Sequence, residues 1–493
     1  MPDTTPRTTA PPDASPGFGN AGPDAAAAPA TPVLDTPSPE AVRAALLAAV
    51  GKGTRGASSQ ITAVAGSVPP STFAAALGGL DADALRATLA ALGPERLGEV
   101  VAALDPAVAV DVLLRLTRPQ AADVLEAMDP DDAADVVGEL RTEHAPAAEQ
   151  LLQEMATEEA ADIRQLLAYP ADTAGGIMTT DFLAVRPGDT VGAAVRRLRA
   201  PGADEVPVES ASYVYVTEPD GRLVGVVPWH RLVRAGERVP VRALLEPQTV
   251  SVPVHADQET VARTVREHRL LAVPVVGGAG QLLGIITADD VADVEEEEAT
   301  EDIERLGGSQ PLDEPYLRAG PLTLAKKRVG WLLLLFAAEA YTGTVLRHFE
   351  AELQRAVALA FFIPLLIGTG GNTGSQTVTT VIRAMAVGEV GFGDLLRVWR
   401  KEVATGLLLG AVMAAATTGR AWTLGVSADI GLTVAVTAGA IVLWAATVAA
   451  VLPLLLRRLR IDPAVVSAPL ITTLVDGTGL FLYFEIARVV LRL

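Results

Sequence analysis

"PLLIGTGGNTGSQTVTT", residues 364–380, lies inside an apolar run that begins near Val357. Four glycines crowd this stretch together with threonine, serine, asparagine and glutamine side chains, and it carries no charge. A glycine inside a helix costs about 1 kcal/mol relative to alanine, so the composition needs a reason. Glycines let helix backbones approach closely. They also permit local unwinding, which at membrane depth is tolerated only beside a cavity. A packing seam accounts for Gly368, Gly370, Gly371 and Gly374 but leaves Asn372, Ser375, Gln376 and Thr379 unexplained. The stretch therefore reads as the lining of a pore, in which the glycines allow close helix approach and local unwinding.

Outward from this stretch the chain shows five apolar spans: Val329–Val345, Val357–Ile382, Val403–Thr418, Leu432–Leu456 and Val465–Leu491. A helix needs about 20 residues to cross a bilayer; the first and third spans are short of this. Lys326, Lys327, Arg328, Arg383, Arg397, Arg400, Lys401, Arg457, Arg458 and Arg460 fall on one side, against Arg347, Arg420, Arg488 and Arg492 on the other. The positive-inside rule places the N-terminus in the cytoplasm and the C-terminus outside.

Two acids interrupt these spans. Asp476, in "SAPLITTLVDGTGLFLYF", is expected near mid-membrane, where a lone carboxylate costs roughly 2.5–3.5 kcal/mol and normally faces a polar cavity. Thr472 and Thr473 lie a turn before it, and Pro469 frees carbonyls. Glu339, in the first span, reads equally as a path-lining acid or as a neutral packing residue.

The composition narrows the chemistry. The chain has 493 residues, 50% hydrophobic, with a formal net charge of -20 carried mostly before Val329. It has no cysteine and five histidines, so thiolate sites are excluded and zinc has little to bind. A metal here is held by oxygen, which favours Mg²⁺, Ca²⁺ or Mn²⁺. The acidic balance argues against nucleic acid. No GxxxxGK[ST] loop appears, so ATP-driven pumping is not expected and ion passage should follow the gradient and the membrane potential; the chain is expected to be a non-enzyme.

Residues 1–38, rich in Pro, Ala, Thr and Asp, read as a disordered tail. Leu80, Leu92, Leu104, Leu116, Met128 and Leu140 then recur every twelve residues, most followed by a helix-starting break such as "DPA" or "DPDD". Stacked short helices of this kind form a superhelix; a plain bundle is the competing arrangement. Asp131 and Asp135, four apart, share a helix face.

"GRLVGVVPWHRLV" (221–233) and "GQLLGIITADDVA" (280–292) match at a spacing of 59 residues. Each is a turn, a β-branched strand and a helix, preceded by another strand and helix, and the tandem resembles a CBS-domain pair. Such pairs often bind adenine nucleotides, ATP among them, yet many only transmit shape. "ADDVADVEEEEATEDIERL" (288–306) runs on as a helix in which Asp290, Asp293, Glu297, Glu301 and Asp302 cluster. It is either a solvated face or one whose mutual repulsion is relieved by cations.

"GTGGNTGSQ", "LVDGTGL", "MDPDDAAD", "YPADTAGGIMT" and "EEEATEDIERLG" together resemble the MgtE family of magnesium channels, over roughly residues 75–493. The resemblance implies a multidomain membrane protein. After the tail come a cytosolic α-helical superhelical N domain (39–170), first and second α/β CBS domains (171–236 and 237–295), a connecting or plug helix (296–325) and a five-helix all-α transmembrane domain (326–493). It implies a homodimer in the cell membrane, surrounded by lipid, that passes Mg²⁺ inward and is closed by intracellular Mg²⁺. The family's pore metal aspartate falls on Asp476, with Thr472, Thr379 and Ser375 beside it. Its sensing acids fall on Asp131, Asp135, Glu259, Asp290, Asp293, Glu298, Glu301 and Asp302. The chain departs from the pattern at Ser375 and Ala468, where well-known members carry Asn, and at Arg269, which replaces a sensing acid. A transporter of Mn²⁺ or Co²⁺ and a membrane-anchored CBS nucleotide sensor are the competing functions.

Overall fold

Helix starts recur every twelve residues along the chain from Ala82. In the computed structural model the described residues are 37–51, 54–199, 212–246 and 248–492; the expected tail lies, up to residue 36, outside them. Two compact units divide the chain, residues 1–103 and 104–493. The first contains α1 (Pro39–Val50), α2 (Thr54–Ala65), α3 (Pro70–Leu77), α4 (Ala82–Leu89) and α5 (Pro94–Ala102), packed around Leu46, Ile61, Phe73 and Val100. The second opens with α6 (Pro106–Leu113), α7 (Arg118–Glu126), α8 (Pro130–Glu154) and α9 (Thr157–Leu166).

The breaks work as caps. The Asp81 carboxylate accepts from the N–H groups of Asp83 and Ala84 at 3.1 and 2.8 Å, and Asp105 accepts from Ala107 at 3.0 Å. Gln120 reaches back to the Thr117 N–H at 3.2 Å. Helices α5 to α8 each carry proline in the first turn, where its missing N–H costs nothing. Helices of eight or nine residues are unstable alone; Leu89, Val101, Leu113 and Leu125 are buried and hold them. Helix α8 kinks at His144 (φ −137°, ψ 51°), two residues before Pro146.

Two α/β modules follow. In the first, β1 (Ala184–Val185) precedes α10 (Val191–Leu198), β2 (Tyr213–Thr217), β3 (Leu223–Pro228) and α11 (Trp229–Arg234). In the second, β4 (Val252–Pro253) precedes α12 (Gln258–His268), β5 (Ala272–Val276), β6 (Leu282–Thr287) and α13 (Ala288–Leu306). Each sheet has the order first, second, third strand, with a parallel then an antiparallel pair. The modules meet through equivalent residues: Leu223 N–H donates to Gly280 O at 2.9 Å, and Leu282 N–H to Gly221 O at 3.0 Å. Gly221 and Gly280 have φ of 83° and 80°, which a side chain would resist.

Helix α13 runs unbroken to Leu306, and residues 307–320 are irregular. The connection expected to be helical over 296–325 is thus the second half of α13 followed by a loop. Gly307, Gly308, Pro311 and Pro315 explain the loop, since none of them sustains a helix. Then come α14 (Pro321–His348), α15 (Glu350–Arg355), a 3-10 turn (Val357–Phe362), α16 (Ile363–Ala386), α17 (Leu395–Thr423), α18 (Ala428–Arg458) and α19 (Ala468–Leu491).

Helices α14, α16, α17 and α18 are, with their lead-in turns, long and apolar enough to cross a membrane. Helix α19, apolar apart from Asp476, Glu485, Arg488 and its threonines, is not among them. Its environment compensates: α19 packs against α14, α16 and α18 around Leu366, Ile441, Ile471, Val475, Leu480 and Phe484. The outer face of the bundle is apolar, with Leu332, Leu333 and Phe336 of α14 and Leu408 and Val412 of α17 more than half exposed.

Candidate ion pathway and cytosolic acidic clusters

Residues 364–380 are continuous α-helix, so the local unwinding that the glycines allow is not used. The glycines act through packing. A Cβ on Gly370 would lie 2.6 Å from Ile441 Cγ2, on Gly371 2.7 Å from Thr472 Cγ2, and on Gly374 2.5 Å from Ile471 Cγ2. Gly368 meets nothing within 4 Å. The seam glycines thus bring α16 against α18 and α19, and that burial makes unwinding unnecessary. The opposite face keeps its polarity: Gly368, Asn372, Gln376 and Thr379 are exposed along one stripe, with Ser375 half-buried at its edge.

The structure joins three of the four residues expected to line a pore. Ser375 Oγ and Thr472 Oγ1 are 3.2 Å apart. Thr379 Oγ1 donates to Ser375 O at 2.8 Å, one turn along α16. Ala468 opens α19, and its carbonyl accepts from Thr472 Oγ1 at 3.0 Å. Asp476 stands one turn beyond Thr472, 9% exposed, and its Oδ1 is buried without a hydrogen-bond partner. Glu339, exposed on α14, is near enough for its charge to act on Asp476. Gly477 lets α14 close in, since a Cβ there would lie 2.5 Å from Tyr341 Cδ1.

The expected sensing acids separate into two groups along α13. Around its N-terminal half, Asp131 and Asp135 of α8 face Asp290 and Asp293. Asp131 is buried, its Oδ1 lacks a partner, and burial followed by the Asp290 charge pushes its carboxyl well above the ordinary range. Burial of its carboxyl, then the carboxylates of Glu297 and Asp290, push Asp135 up to about 7, although the residue as a whole is exposed. Asp290 also caps α13, accepting from Thr287 N–H at 2.9 Å. Asp132 was missed by the sequence reading. Burial first, then Asp129, Asp290, Asp135 and Asp293, push it up to about 8. Its signal was the doubled acid in "DPDD".

Around the C-terminal half, Glu298 accepts from Gln258 Nε2 at 2.8 Å, beside Glu259. Burial, then Asp462, Glu298 and Glu259, push Asp302 upward. Asp462, from the loop between α18 and α19, had no signal in the sequence. Arg305 bridges it to Glu301, with contacts of 2.9 and 2.8 Å. Arg269 stands apart, exposed, ending α12 in the left-handed conformation. Among the described residues no three acidic or histidine side chains converge into a ready-made metal cage. All donors present are oxygens, which suits a hard divalent ion that keeps part of its water.

An acid-lined membrane bundle joined to two α/β modules defines a class, and the family comparisons give the same one. Residues 363–486 match the family described as divalent cation transporter, residues 68–172 the MgtE intracellular N domain, and residues 174–238 and 241–297 the CBS domain. The magnesium transporter MgtE of Thermus thermophilus is 42% identical over 332 residues, 67% of this chain and 73% of that protein. That of Enterococcus faecalis is 37% identical over 341 residues, 68% and 73% of the two chains. A crystal structure of the cytosolic domain of the Mg²⁺ channel MgtE in complex with ATP is 31% identical, covering 51% of this chain and 99% of that one, at a TM-score of 0.48. This chain belongs to the MgtE family of magnesium transporters, a family of non-enzymes.

Proposed function

We propose that this protein is a homodimeric, multi-pass Mg²⁺ channel whose pore is lined by α16 and α19 and centred on Asp476. The observation that carries the reading is the Asp476 carboxylate, buried within an apolar helix and unpartnered at Oδ1. A buried ionised carboxylate is costly unless a cation or hydrogen bonds meet it. The polar stripe of α16 would likewise be costly against lipid. A second copy related by a two-fold axis covers both stripes and sets two Asp476 carboxylates across the axis. Mg²⁺ sheds water reluctantly and is usually held by one or two carboxylates, so such a pair holds a hydrated ion loosely enough to release it. Family membership supports Mg²⁺ as the cargo.

The basic residues around α14, α17 and the end of α18 support an orientation with the acidic domains in the cytoplasm and the C-terminus outside. There, Mg²⁺ bridging Asp131, Asp135, Asp290 and Asp293, and separately Glu259, Glu298, Glu301 and Asp302, would hold α13 in place and close the pore. The apposition of like charges in both groups supports this. The test is divalent-ion current and Mg²⁺ uptake in vesicles containing wild type, Asp476→Ala or Asp476→Asn. Loss of flux in both variants, with dimers intact, is expected; normal flux in Asp476→Ala would remove the central claim.

A further inference from the structure

We propose that one face of α17 seats an anionic phospholipid, its phosphate at Arg397, Arg400 and Lys401 and an acyl chain between α17 and α18. A cleft of about 550 Å³ at the start of α17 is lined by these three cations with Gly393, Asp394 and Leu396. Asp394 is already engaged: Oδ1 holds Arg397 at 2.9 Å and Oδ2 accepts from Gly391 N–H at 3.3 Å. Among the described residues the side chains of Arg400 and Lys401 form no ion pair or hydrogen bond; Lys401 accepts from Thr405 Oγ1 only through its backbone carbonyl, at 3.1 Å. This positive cleft stands out in a chain of net charge -20.

A second cavity, about 320 Å³, lies deeper along the helix. Leu407, Ala411 and Ala414 of α17 line it opposite Val436, Ala440 and Leu443 of α18. It exists because the two helices cross at glycines: a Cβ on Gly410 would lie 3.1 Å from Gly439 O. Close backbones with small side chains leave a furrow beside the crossing.

The two cavities share one side of the helix. Arg400, Leu407, Ala411 and Ala414 are spaced by seven, four and three residues, the spacings of a single face. From the cleft to the furrow the rise is about 10–20 Å. One leaflet of a hydrocarbon core of about 30 Å is about 15 Å deep, so a lipid whose phosphate sits at Arg400 lays its chain along Leu407 and Ala414. A zwitterionic head brings its own cation into the cleft, whereas an anionic head leaves its charge to the three side chains. The furrow excludes inorganic phosphate as the natural occupant, because phosphate alone would leave it unfilled. The extensive packing of α17 is with α18; its first turns also meet α16, where Leu395 and Val398 pack on Val381 and Met385, but no residue lining the cleft belongs to the ion path around Ser375, Thr472 and Asp476.

The test is native mass spectrometry of the full-length protein in neutral detergent, exposed to phosphatidylglycerol, phosphatidylcholine or inorganic phosphate. Arg400→Gln/Lys401→Gln and Ala411→Leu are the variants, each checked for unchanged elution and Mg²⁺ uptake. We expect phosphatidylglycerol to be retained in preference to phosphatidylcholine. Retention should fall about thirtyfold in the double variant, the order expected for losing two cations near an anionic head, and should also fall in Ala411→Leu. Equal retention of the two lipids, or unchanged retention in the double variant, overturns the proposal. Displacement of the lipid by inorganic phosphate, or full retention in Ala411→Leu, identifies a surface anion site and overturns it as well.

Discussion

Ser375 and Thr472 meet hydroxyl to hydroxyl at 3.2 Å, fastening the glycine-rich helix to the helix that carries Asp476. Both groups are small and neither extends an amide toward the proposed ion path. The family resemblance implies Asn at the positions that Ser375 and Ala468 occupy here. Fewer and shorter donors around the ion give less discrimination among hydrated divalents of different size. Mn²⁺, Co²⁺ and Ca²⁺ at about tenfold excess should therefore compete with Mg²⁺ uptake, and Ser375→Asn should reduce that competition. Uptake indifferent to all three ions counts against the looser-filter reading.

The close approaches of α16 predict opposite outcomes for glycines six residues apart. Gly374→Val forces side-chain atoms into Ile471, where even a Cβ sits at 2.5 Å. Overpacking of this kind costs about 1–3 kcal/mol. Gly368→Ala meets open space and removes a helix penalty of about 1 kcal/mol, so thermal unfolding in detergent should be unchanged or later. Matching melting curves for the two variants would show that the seam is not set by these contacts.

The raised carboxyls of α8 set a pH dependence. Asp132 and Asp135 titrate at about 8 and about 7, against an ordinary 3.8, because burial and facing acids disfavour their charged forms. The packed state therefore binds protons that the separated state releases. Its advantage is complete below the ordinary value and is lost as pH rises through about 7–8. In chelator, protease should spare residues 128–140 at about pH 6 and cut them at about pH 8.5. Added Mg²⁺, which takes the place of those protons, should restore protection at the higher pH. Equal cutting at both pH values in chelator is incompatible with this account.

What was legible in the chain follows its range of interaction. Helix starts at 82, 94, 106, 118 and 130 rest on caps within a few residues, and the module repeat rests on hairpin glycines 59 residues apart. These are local signals, and the structure matches them. The continuity of α16 was not legible, because the atoms that press on its glycines come from Ile441, Ile471 and Thr472. Nor was Asp462, which reaches Arg305 across 157 residues. Asp476 was legible because a charge in an apolar run is conspicuous at any range, whereas Asp132 acquires meaning only when α8 is laid against α13.

Closure is the last expectation. Helix α13 carries acids from Asp290 to Asp302 and ends where Gly308 presses on Trp331, whose Nε1 donates to Ser467 Oγ at 3.1 Å. Ser467 caps α19, two to three turns before Asp476. A shift of α13 therefore bears directly on both α14 and α19. Without cation, the carboxylates of α8, α12 and the Asp462 loop repel those of α13. A ligand moves such an equilibrium only by its differential affinity for the two states, and several weak sites acting together supply that more readily than one. Mg²⁺ in the millimolar range should protect residues 128–140 and 288–306 from proteolysis in parallel. Replacing Asp290, Asp293 and Asp302 by Asn should abolish that protection and leave the pore conducting at high internal Mg²⁺, with flux still lost on adding Asp476→Ala. Protection and closure that persist in the triple variant would reduce the acidic helix to a solvated surface. The family resemblance implies a sensing acid at the position of Arg269; on that reading half-maximal protection should need more Mg²⁺ than in a relative with an acid there, and Arg269→Asp should lower that concentration.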